Sequence, residues 1–433
     1  MSHGPPPSAG PTAICLVTAT NVASNPRLVK EADALTRAGY AVRVVALNQS
    51  PEEARWDQTV MVGRRWRLET VTAHRHGRGR FRWLLAVVRQ RSCLRPALWL
   101  SSRAMRACAY SRFAPELARL AAREPAALYL GHTLPGLPAA AWAARLCGAR
   151  LGFDAEDFQS GIRSTDAPIT RMDLLGETIE AEYLPQCDHL TSASPGVSAA
   201  LAKLCGGRVP VPILNVFPLT DRPAQHPVRA LGGPLRLYWF SQVVGTDRGL
   251  ESAVQALRRL PVGSAELHLR GRADDAARRY VAGLVSASGV PASAVLLHDP
   301  APPGQMVALC GDFDVGLALE VPASPNRIIC MNDLCTNKVF TYLMGGLALA
   351  ATSLRPTANV YEGAGFTYAS GDADALAAGL RRWVEEPAAL RQARQCAWDV
   401  ATRRYNWEVE QERLLSAIAM VVGPPCHGRS VRP

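Results

Sequence analysis

The stretch TNKVFTYLMGGLALAAT, residues 336–352, combines two local patterns. NKVFTYLMGG has the apolar spacing of a short helix that ends at a pair of glycines, and LALAAT is the continuous apolar run of a buried strand. A further strand pattern, VGLALE, lies upstream at residues 315–320. The order strand, helix, strand predicts a β-α-β unit of a parallel sheet.

The same alternation continues in both directions from this unit. In the second half, LRLYWFS, AELHLRG and AVLLHD predict strands, and in the first half AICLVTAT, YAVRVVAL and HLTSAS do so. ALYLGHTL and RLGFDAED each predict a strand and the loop that follows it. A turn-rich stretch at residues 218–234 separates the halves. We therefore predict an α/β protein with two tandem doubly wound Rossmann-like domains, residues 13–217 and 235–398, that face a cleft. Ligands of such sheets bind beyond the carboxyl ends of the strands.

The composition limits the class of protein. With 433 residues, 48% of them apolar and 20% charged, the chain has the balance of a globular protein with two cores. The sequence has no apolar run long enough to cross a bilayer and no secretory signal pattern, so we predict a cytoplasmic protein. Its eleven cysteines are scattered without a CxxC pair, which predicts neither a zinc site nor a disulfide framework.

The positive charge is concentrated in residues 64–112. This segment holds thirteen arginines and one acid, Glu69, and it accounts for the net charge of +11. Tryptophan, leucine and valine residues are interspersed among the arginines. Such a segment can lie on the inner face of the cytoplasmic membrane, gather anionic substrates or nucleic acid, or form a helical hairpin with solvated arginines. Nucleic acid is the least favoured partner because no zinc-finger, RRM or helix-turn-helix pattern is present.

Several motifs in order make the chain resemble a known family over residues 13 to about 420. They are NPRLVKEADALTRAGYAVRVVAL, FDAED, CDHLTSASPGVSAALAKL, SQVVGTDRGLESAVQAL, FDVGLAL, TNKVFTYLMGGLALAAT and RRYNWEVEQERLL. Together they resemble the GT-B glycosyltransferases of family 4. The resemblance implies a retaining enzyme that uses a nucleotide-diphosphate sugar as co-substrate, with no other cofactor. It also implies a last helix, residues 399–422, that crosses back onto the first domain.

Transfer of a sugar from a nucleotide diphosphate requires fixed positive charge at the departing diphosphate. Arg248 and Gly249 lie where a strand and loop enter a helix, and Asn337 and Lys338 open another helix in the same way. We expect Arg248 to act as a forked donor and Lys338 as a point charge on the diphosphate, with Gly249 and Asn337 in the donor site.

The family usually carries two glutamates eight positions apart, one for the donor sugar and one for the ribose. This chain has Asp333 and Thr341 at that spacing. A threonine lacks the charge-assisted hydrogen bond of a carboxylate. Glu320, after the strand at residues 315–320, is the alternative acid for the sugar or the ribose.

In the first domain, His132, Glu156 and Asp157 follow predicted strands and are expected near the sugar or the acceptor, with Glu156 where many members have histidine. A carboxylate there could stabilise positive charge or orient an acceptor hydroxyl. Asn25 and Arg27 belong to the first loop, which lacks the glycine pair of some relatives. The resemblance suggests a glycan, a lipid-linked glycan or a small molecule as acceptor.

A metal is not expected in the site, because the cations expected at the diphosphate supply the charge that a metal would add. The pair Asp312 and Asp314 precedes a strand, and the HRH at residues 74–76 belongs to the basic segment. Two further interpretations stay open. One is a nucleotide-sugar 2-epimerase, which uses the same two-domain plan. The other is a catalytically degenerate subunit that binds a partner or an anionic surface.

Overall fold

The computed structural model describes residues 11–227 and 233–425. They divide into two compact units. The first unit comprises the residues up to Ile213 and those from Gln411 onwards, and the second runs from Leu214 to Glu410. Part of the turn-rich stretch predicted as a linker, residues 228–232, lies outside the described residues.

The first unit is built on a seven-stranded parallel sheet in the order β3-β2-β1-β4-β5-β6-β7. In register, Ile14 of β1 lies opposite Val42 of β2 and Leu128 of β4. The strands are β1 (Ala13–Thr18), β2 (Ala41–Asn48), β3 (Arg67–Thr72), β4 (Leu128–His132), β5 (Arg150–Ala155), β6 (His189–Ser192) and β7 (Val211–Pro212).

The second unit contains a six-stranded parallel sheet in the order β10-β9-β8-β11-β12-β13. Here Val315 of β11 lies opposite Leu237 of β8 and Ala348 of β12. The strands are β8 (Leu235–Val243), β9 (Ala265–Arg272), β10 (Val295–His298), β11 (Val315–Ala318), β12 (Ala348–Thr352) and β13 (Gly365–Tyr368).

Helices connect the strands of both sheets. Those of the first unit are α1 (Pro26–Ala38), α2 (Pro51–Met61), α3 (Arg80–Leu94), α4 (Arg103–Tyr110), α5 (Ala114–Ala121), α6 (Leu137–Cys147), α7 (Arg171–Tyr183) and α8 (Pro195–Ala202). Those that start in the second are α9 (Leu250–Arg259), α10 (Asp275–Ser288), α11 (Pro325–Asp333), α12 (Asn337–Met344), α13 (Ala373–Glu385), α14 (Pro387–Arg403) and α15 (Trp407–Val422). None of the helices in the described ranges combines the length and apolarity of a membrane span.

The central strands are apolar because helices cover both faces of a parallel sheet. β4, β11 and β12 are buried along their whole length. Three strands were not predicted from the sequence, and all three, β3, β7 and β13, lie at sheet edges. The segment MVALCGD, residues 306–312, for which the sequence predicts a helix, contains a short 3₁₀ turn, Ala308–Asp312.

The chain leaves the first unit after Ile213, before the predicted boundary at residue 217, and returns to it at Gln411, after the predicted start of the closing helix at residue 399. The Leu214 amide donates to the Glu410 carboxylate at 2.9 Å, and the Trp407 amide donates to the Phe217 carbonyl at 2.9 Å. These bonds tie the residues after 213 to the start of α15 within the second unit. From Gln411 onwards α15 belongs to the first unit.

Candidate functional site

A buried ion pair lies at the carboxyl ends of the strands in the first unit. Arg27, on the first turn of α1, donates from Nε and Nη2 to Asp154 of β5 at 2.5 and 2.7 Å. Its Nη1 donates to the carbonyl of Ile213 at 2.7 Å. Both side chains are buried. Burial opposes ionisation of Asp154, but the Arg27 guanidinium outweighs it and lowers the pKa of Asp154 well below its usual range.

His132, the last residue of β4, is fully buried beside this pair. Its Nε2 lies 3.1 Å from Oε2 of Glu31 on α1, and its Nδ1 lies 3.6 Å from Asp154 and 3.8 Å from Glu156. Burial alone would lower the pKa of His132, but Glu31, Glu156 and Asp154 outweigh it and raise the pKa to about 10. The imidazole is therefore a buried cation at neutral pH.

Glu156 is the carboxylate of this group that reaches solvent, with about a quarter of its side chain exposed. Asn25, the N-cap of α1, accepts from the Leu28 amide and donates from Nδ2 to Glu156 Oε1 at 2.8 Å. The next residue, Asp157, is exposed. Since His132 is fully buried, Glu156 is better placed to meet a ligand, and His132 can act on it through charge.

Glu31, His132 and Asp154 could also offer ligand atoms to a metal ion, because one atom of each lies within 4.8 Å of the others. Arg27 argues against that use: its Nε is 2.5 Å from Asp154 and 4.0 Å from Glu31. A divalent ion among these carboxylates would meet a fixed guanidinium at close range, so the donor set fits a buried ion-pair cluster better than a metal centre.

In the second unit, a three-membered charge cluster follows β11. Glu320 accepts from Lys338 Nζ at 3.0 Å through one oxygen and from Arg327 Nη1 at 2.8 Å through the other. Glu320 and Lys338 are mostly buried, and Arg327 is about one third exposed. The backbone of Glu320 is held by Thr352 at the end of β12. Glu320 thus positions two cations at this strand end and leaves a net charge of +1.

The loop that carries Arg248 lies next to this cluster. Gly249, the N-cap of α9, has φ of 72°, and a Cβ built there would lie 3.3 Å from the Cβ of Leu319. Leu319 directly precedes Glu320. Arg248 is partly exposed and has no hydrogen bond or ion pair among the described residues of its unit. The structure therefore brings the loops of Arg248 and Lys338 to the same end of the sheet, as predicted from strand order.

Helix α12 is positioned by a close contact with β11. A Cβ on Gly316 would lie 2.2 Å from the ring of Tyr342, so this ring packs directly on the glycine, and its hydroxyl donates to the Leu317 carbonyl at 3.1 Å. Asn337 opens the helix and accepts from Asn215 at 3.0 Å. Thr341 is buried, and its hydroxyl donates to the Asn337 carbonyl at 2.7 Å. The hydroxyl proton of Thr341 is thus used inside its own helix.

Two acidic positions of the second unit have different surroundings. Asp333 ends α11 and is partly exposed, and its carbonyl accepts from Cys335 Sγ at 3.1 Å. Asp314 is buried, and it accepts from Arg394 at 3.2 Å and from the Arg236 amide at 2.9 Å. Asp314 therefore connects β8, β11 and α14. In the first unit, His74 of the HRH motif is buried rather than part of the basic surface, because the chain turns back there and its amide donates to the Arg78 carbonyl.

Three members of these clusters, Glu31, Asp154 and Arg327, were not predicted from the sequence. For Glu31, one feature of the sequence indicates a buried, paired side chain. Glu31 falls on the apolar stripe of α1, between Leu28 and Leu35, where an acid must have a buried partner.

Solved structures share this fold over nearly the whole chain. HepE from Anabaena, solved with UDP and glucose, matches at a TM-score of 0.63 and 14% identity over 94% of this chain and all of its own. Sucrose-phosphate synthase from Thermosynechococcus elongatus matches at 0.66 and 15% identity, over 95% of this chain and 99% of its own. The similarity to UDP-GlcNAc 2-epimerase from Neisseria meningitidis is weaker, at 0.54 and 10% identity over 94% and 100%.

No protein-family model and no curated protein matches the sequence. The structural matches define the fold. The chain has the two tandem α/β units of the GT-B glycosyltransferases.

Proposed function

We propose that this protein is a retaining glycosyltransferase of the family 4 type. It would move a sugar from a nucleotide diphosphate to a hydroxyl of a glycan, lipid-linked or small-molecule acceptor during synthesis of surface polysaccharide, glycolipid or another glycoconjugate. The observation that carries the proposal is the positive strand end of the second unit. There Glu320 holds Lys338 and Arg327, and Arg248 has no ion pair within residues 11–227 and 233–425.

The positive charge of this strand end explains how it would act on the diphosphate of a donor. Glu320 holds Arg327 and Lys338, and Arg248 on the neighbouring loop adds a third cation. These four side chains together carry a net charge of +2 for a diphosphate whose negative charge grows as the anomeric bond breaks. Fixed donors that need no reorganisation stabilise such a charge most effectively. Arg248 can bind two phosphate oxygens through its fork, and Lys338 acts as a point charge. In this proposal these cations provide the neutralisation that a metal ion can supply elsewhere.

The remaining roles follow from accessibility. We assign Glu320 to the orientation of Lys338, since both of its oxygens already accept from cations. Asn337 and Asp333, at helix ends, are the donor-sugar candidates. The buried hydroxyl of Thr341 leaves ribose recognition without a carboxylate at that position. In the first unit, Glu156 is the residue assigned to the sugar or the acceptor.

Nucleotide binding provides the first test, and UDP is the first nucleotide to try because the HepE structure contains it. The chain has three lysines, Lys30, Lys203 and Lys338, so amine labelling read by mass spectrometry can follow each separately. UDP, GDP or dTDP should protect Lys338 and leave the exposed Lys203 as reactive as before. Equal labelling of Lys338 with and without every nucleotide would contradict the proposed donor site.

Turnover provides the second test, with UDP-, GDP- and dTDP-sugars and hydroxyl acceptors. Arg248→Ala and Lys338→Ala should each lower kcat by about 10²- to 10³-fold. Arg382→Ala and Lys203→Ala, at exposed positions, are the matched controls. Product analysis by NMR should show the anomeric configuration of the donor retained. Epimerisation of the donor without an acceptor would indicate the 2-epimerase, and nucleotide binding without turnover of any sugar would indicate a degenerate subunit.

A further inference from the structure

Helix α3 of the first unit presents apolar side chains to solvent. Phe81, Leu84, Leu85 and Val88 stand at positions i, i+3, i+4 and i+7 of the helix, so they form one stripe along a single face. Phe81 is 82% exposed and Leu85 is 67% exposed. We call these four residues the α3 stripe. Exposed apolar side chains in a continuous row mark an interaction surface, whereas single ones are ordinary.

The opposite face of α3 packs against the first unit: Ala86 is fully buried there, and polar contacts hold the helix in place. Arg89 pairs with Glu116 of α5 at 2.7 Å, and Gln90 Nε2 donates to the Ala109 carbonyl of α4 at 3.0 Å. These contacts fix the rotation of the helix. The outward position of the stripe is therefore built into the fold of the first unit.

Arginines without acidic partners flank the stripe. Arg78, Arg80, Arg91 and Arg95 have no ion pair in the part of the chain that the structure describes, whereas Arg67, Arg89 and Arg106 elsewhere in the segment each pair with a glutamate. The chain continues beyond α3 to Trp99, which is 87% exposed. The surface thus combines a row of apolar side chains, an exposed tryptophan and uncompensated positive charge.

We propose that the α3 stripe and its flanking arginines dock the first unit on an anionic lipid bilayer. The helix lies in the plane of the interface, with the stripe at the boundary between headgroups and acyl chains and the arginines on lipid phosphates. An anionic lipid surface would contact both the apolar α3 stripe and the arginines that flank it. Nucleic acid would engage the arginines and leave the apolar row unused, and a second copy would bring two positive surfaces together.

Docking bears on the acceptor of the proposed transferase, and this step rests on the function proposed above. An enzyme held at a bilayer would meet lipid-linked acceptors confined to the same surface. The preferred acceptor class would then be a glycan on a lipid carrier. The docking itself does not depend on catalysis, so vesicle binding can be measured whether or not a donor sugar has been found.

Vesicle flotation of the full-length protein tests the docking, with phosphatidylcholine vesicles and with vesicles that contain about 30% phosphatidylglycerol. The wild type should bind the anionic vesicles and should not bind the neutral ones. Its binding to the anionic vesicles should weaken as the salt concentration rises. Phe81→Ser with Leu85→Ser should reduce the partition coefficient by about tenfold or more for each side chain. Arg78→Gln and Arg95→Gln should each reduce it by about fivefold.

Control substitutions remove equally exposed groups elsewhere. Val262→Ser and Met420→Ser take away exposed apolar side chains, and Arg382→Gln takes away an exposed arginine; all three should bind like the wild type. Circular dichroism should show unchanged folding, since the altered residues are exposed. Equal binding of the wild type and the Phe81→Ser, Leu85→Ser variant would overturn the proposal. So would lipid-free self-association, measured by light scattering, that the same variant abolishes.

Discussion

His132 makes the stability of the first unit depend on pH in a direction that the structure defines. Its imidazole is fully buried beside carboxylates from two elements, Glu31 on α1 and Asp154 and Glu156 at the end of β5, and also near Arg27. Burial lowers the pKa of His132, but the three carboxylates outweigh burial and raise this pKa to about 10, above the value of about 6.5 in an unfolded chain. A raised pKa means that the stabilisation is fully present below about pH 6.5 and is lost as pH rises toward 10.

The magnitude follows from linkage. One proton that is held in the folded state and released in the unfolded state changes the free energy of unfolding by about 1.4 kcal/mol per pH unit. Between pH 7 and pH 9, the linkage to His132 should therefore lower the free energy of unfolding of the first unit by about 2 to 3 kcal/mol. For a unit of this size the loss corresponds to a fall in Tm of roughly 4 to 12 °C.

The assay compares the wild type with His132→Gln by thermal melting at pH 7, 8 and 9. The variant should lose stability at pH 7, and its Tm should fall less steeply between pH 7 and pH 9. His76→Gln, at an exposed histidine, should keep the wild-type slope. A His132→Gln variant with the wild-type slope, or an NMR titration that places the His132 pKa near 6.5, would refute the buried-cation assignment.

Three further outcomes follow from the contacts. Arg27→Met leaves the buried Asp154 without its guanidinium partner and should cost about 3 to 5 kcal/mol in denaturant unfolding. Arg27→Met combined with Asp154→Leu should recover most of that loss, and no recovery would show that the unpaired Asp154 charge is not the cause. Gly316→Ala places a methyl group in the Tyr342 ring and should cost about 1 to 3 kcal/mol by the same measurement, and Gly283→Ala, in open space on α10, should cost nothing. Thr341→Val should leave UDP affinity within about twofold by calorimetry, because the hydroxyl bonds its own helix; a tenfold loss would place it on the ribose.

Much of the fold could be predicted from local patterns. The inner strands are long apolar runs because both faces of a parallel sheet are covered, and glycines mark where helices end. The strands that were missed, β3, β7 and β13, are edge strands. An edge strand has one neighbour and is less buried, so β3 and β7 lack the continuous apolar run that identifies an inner strand.

The sequence alone placed Arg248 and Lys338 at strand ends, since parallel strands alternate with helices and their carboxyl ends share one edge of the sheet. The tertiary structure alone decided which charges meet. Arg27 and Asp154 are 127 residues apart, and Glu320 and Lys338 are 18 apart. It also decided that the Thr341 hydroxyl bonds its own helix and that the α3 stripe faces outward. The physical reason is that a buried charge or an exposed apolar face depends on what packs around it, and local sequence does not contain that information.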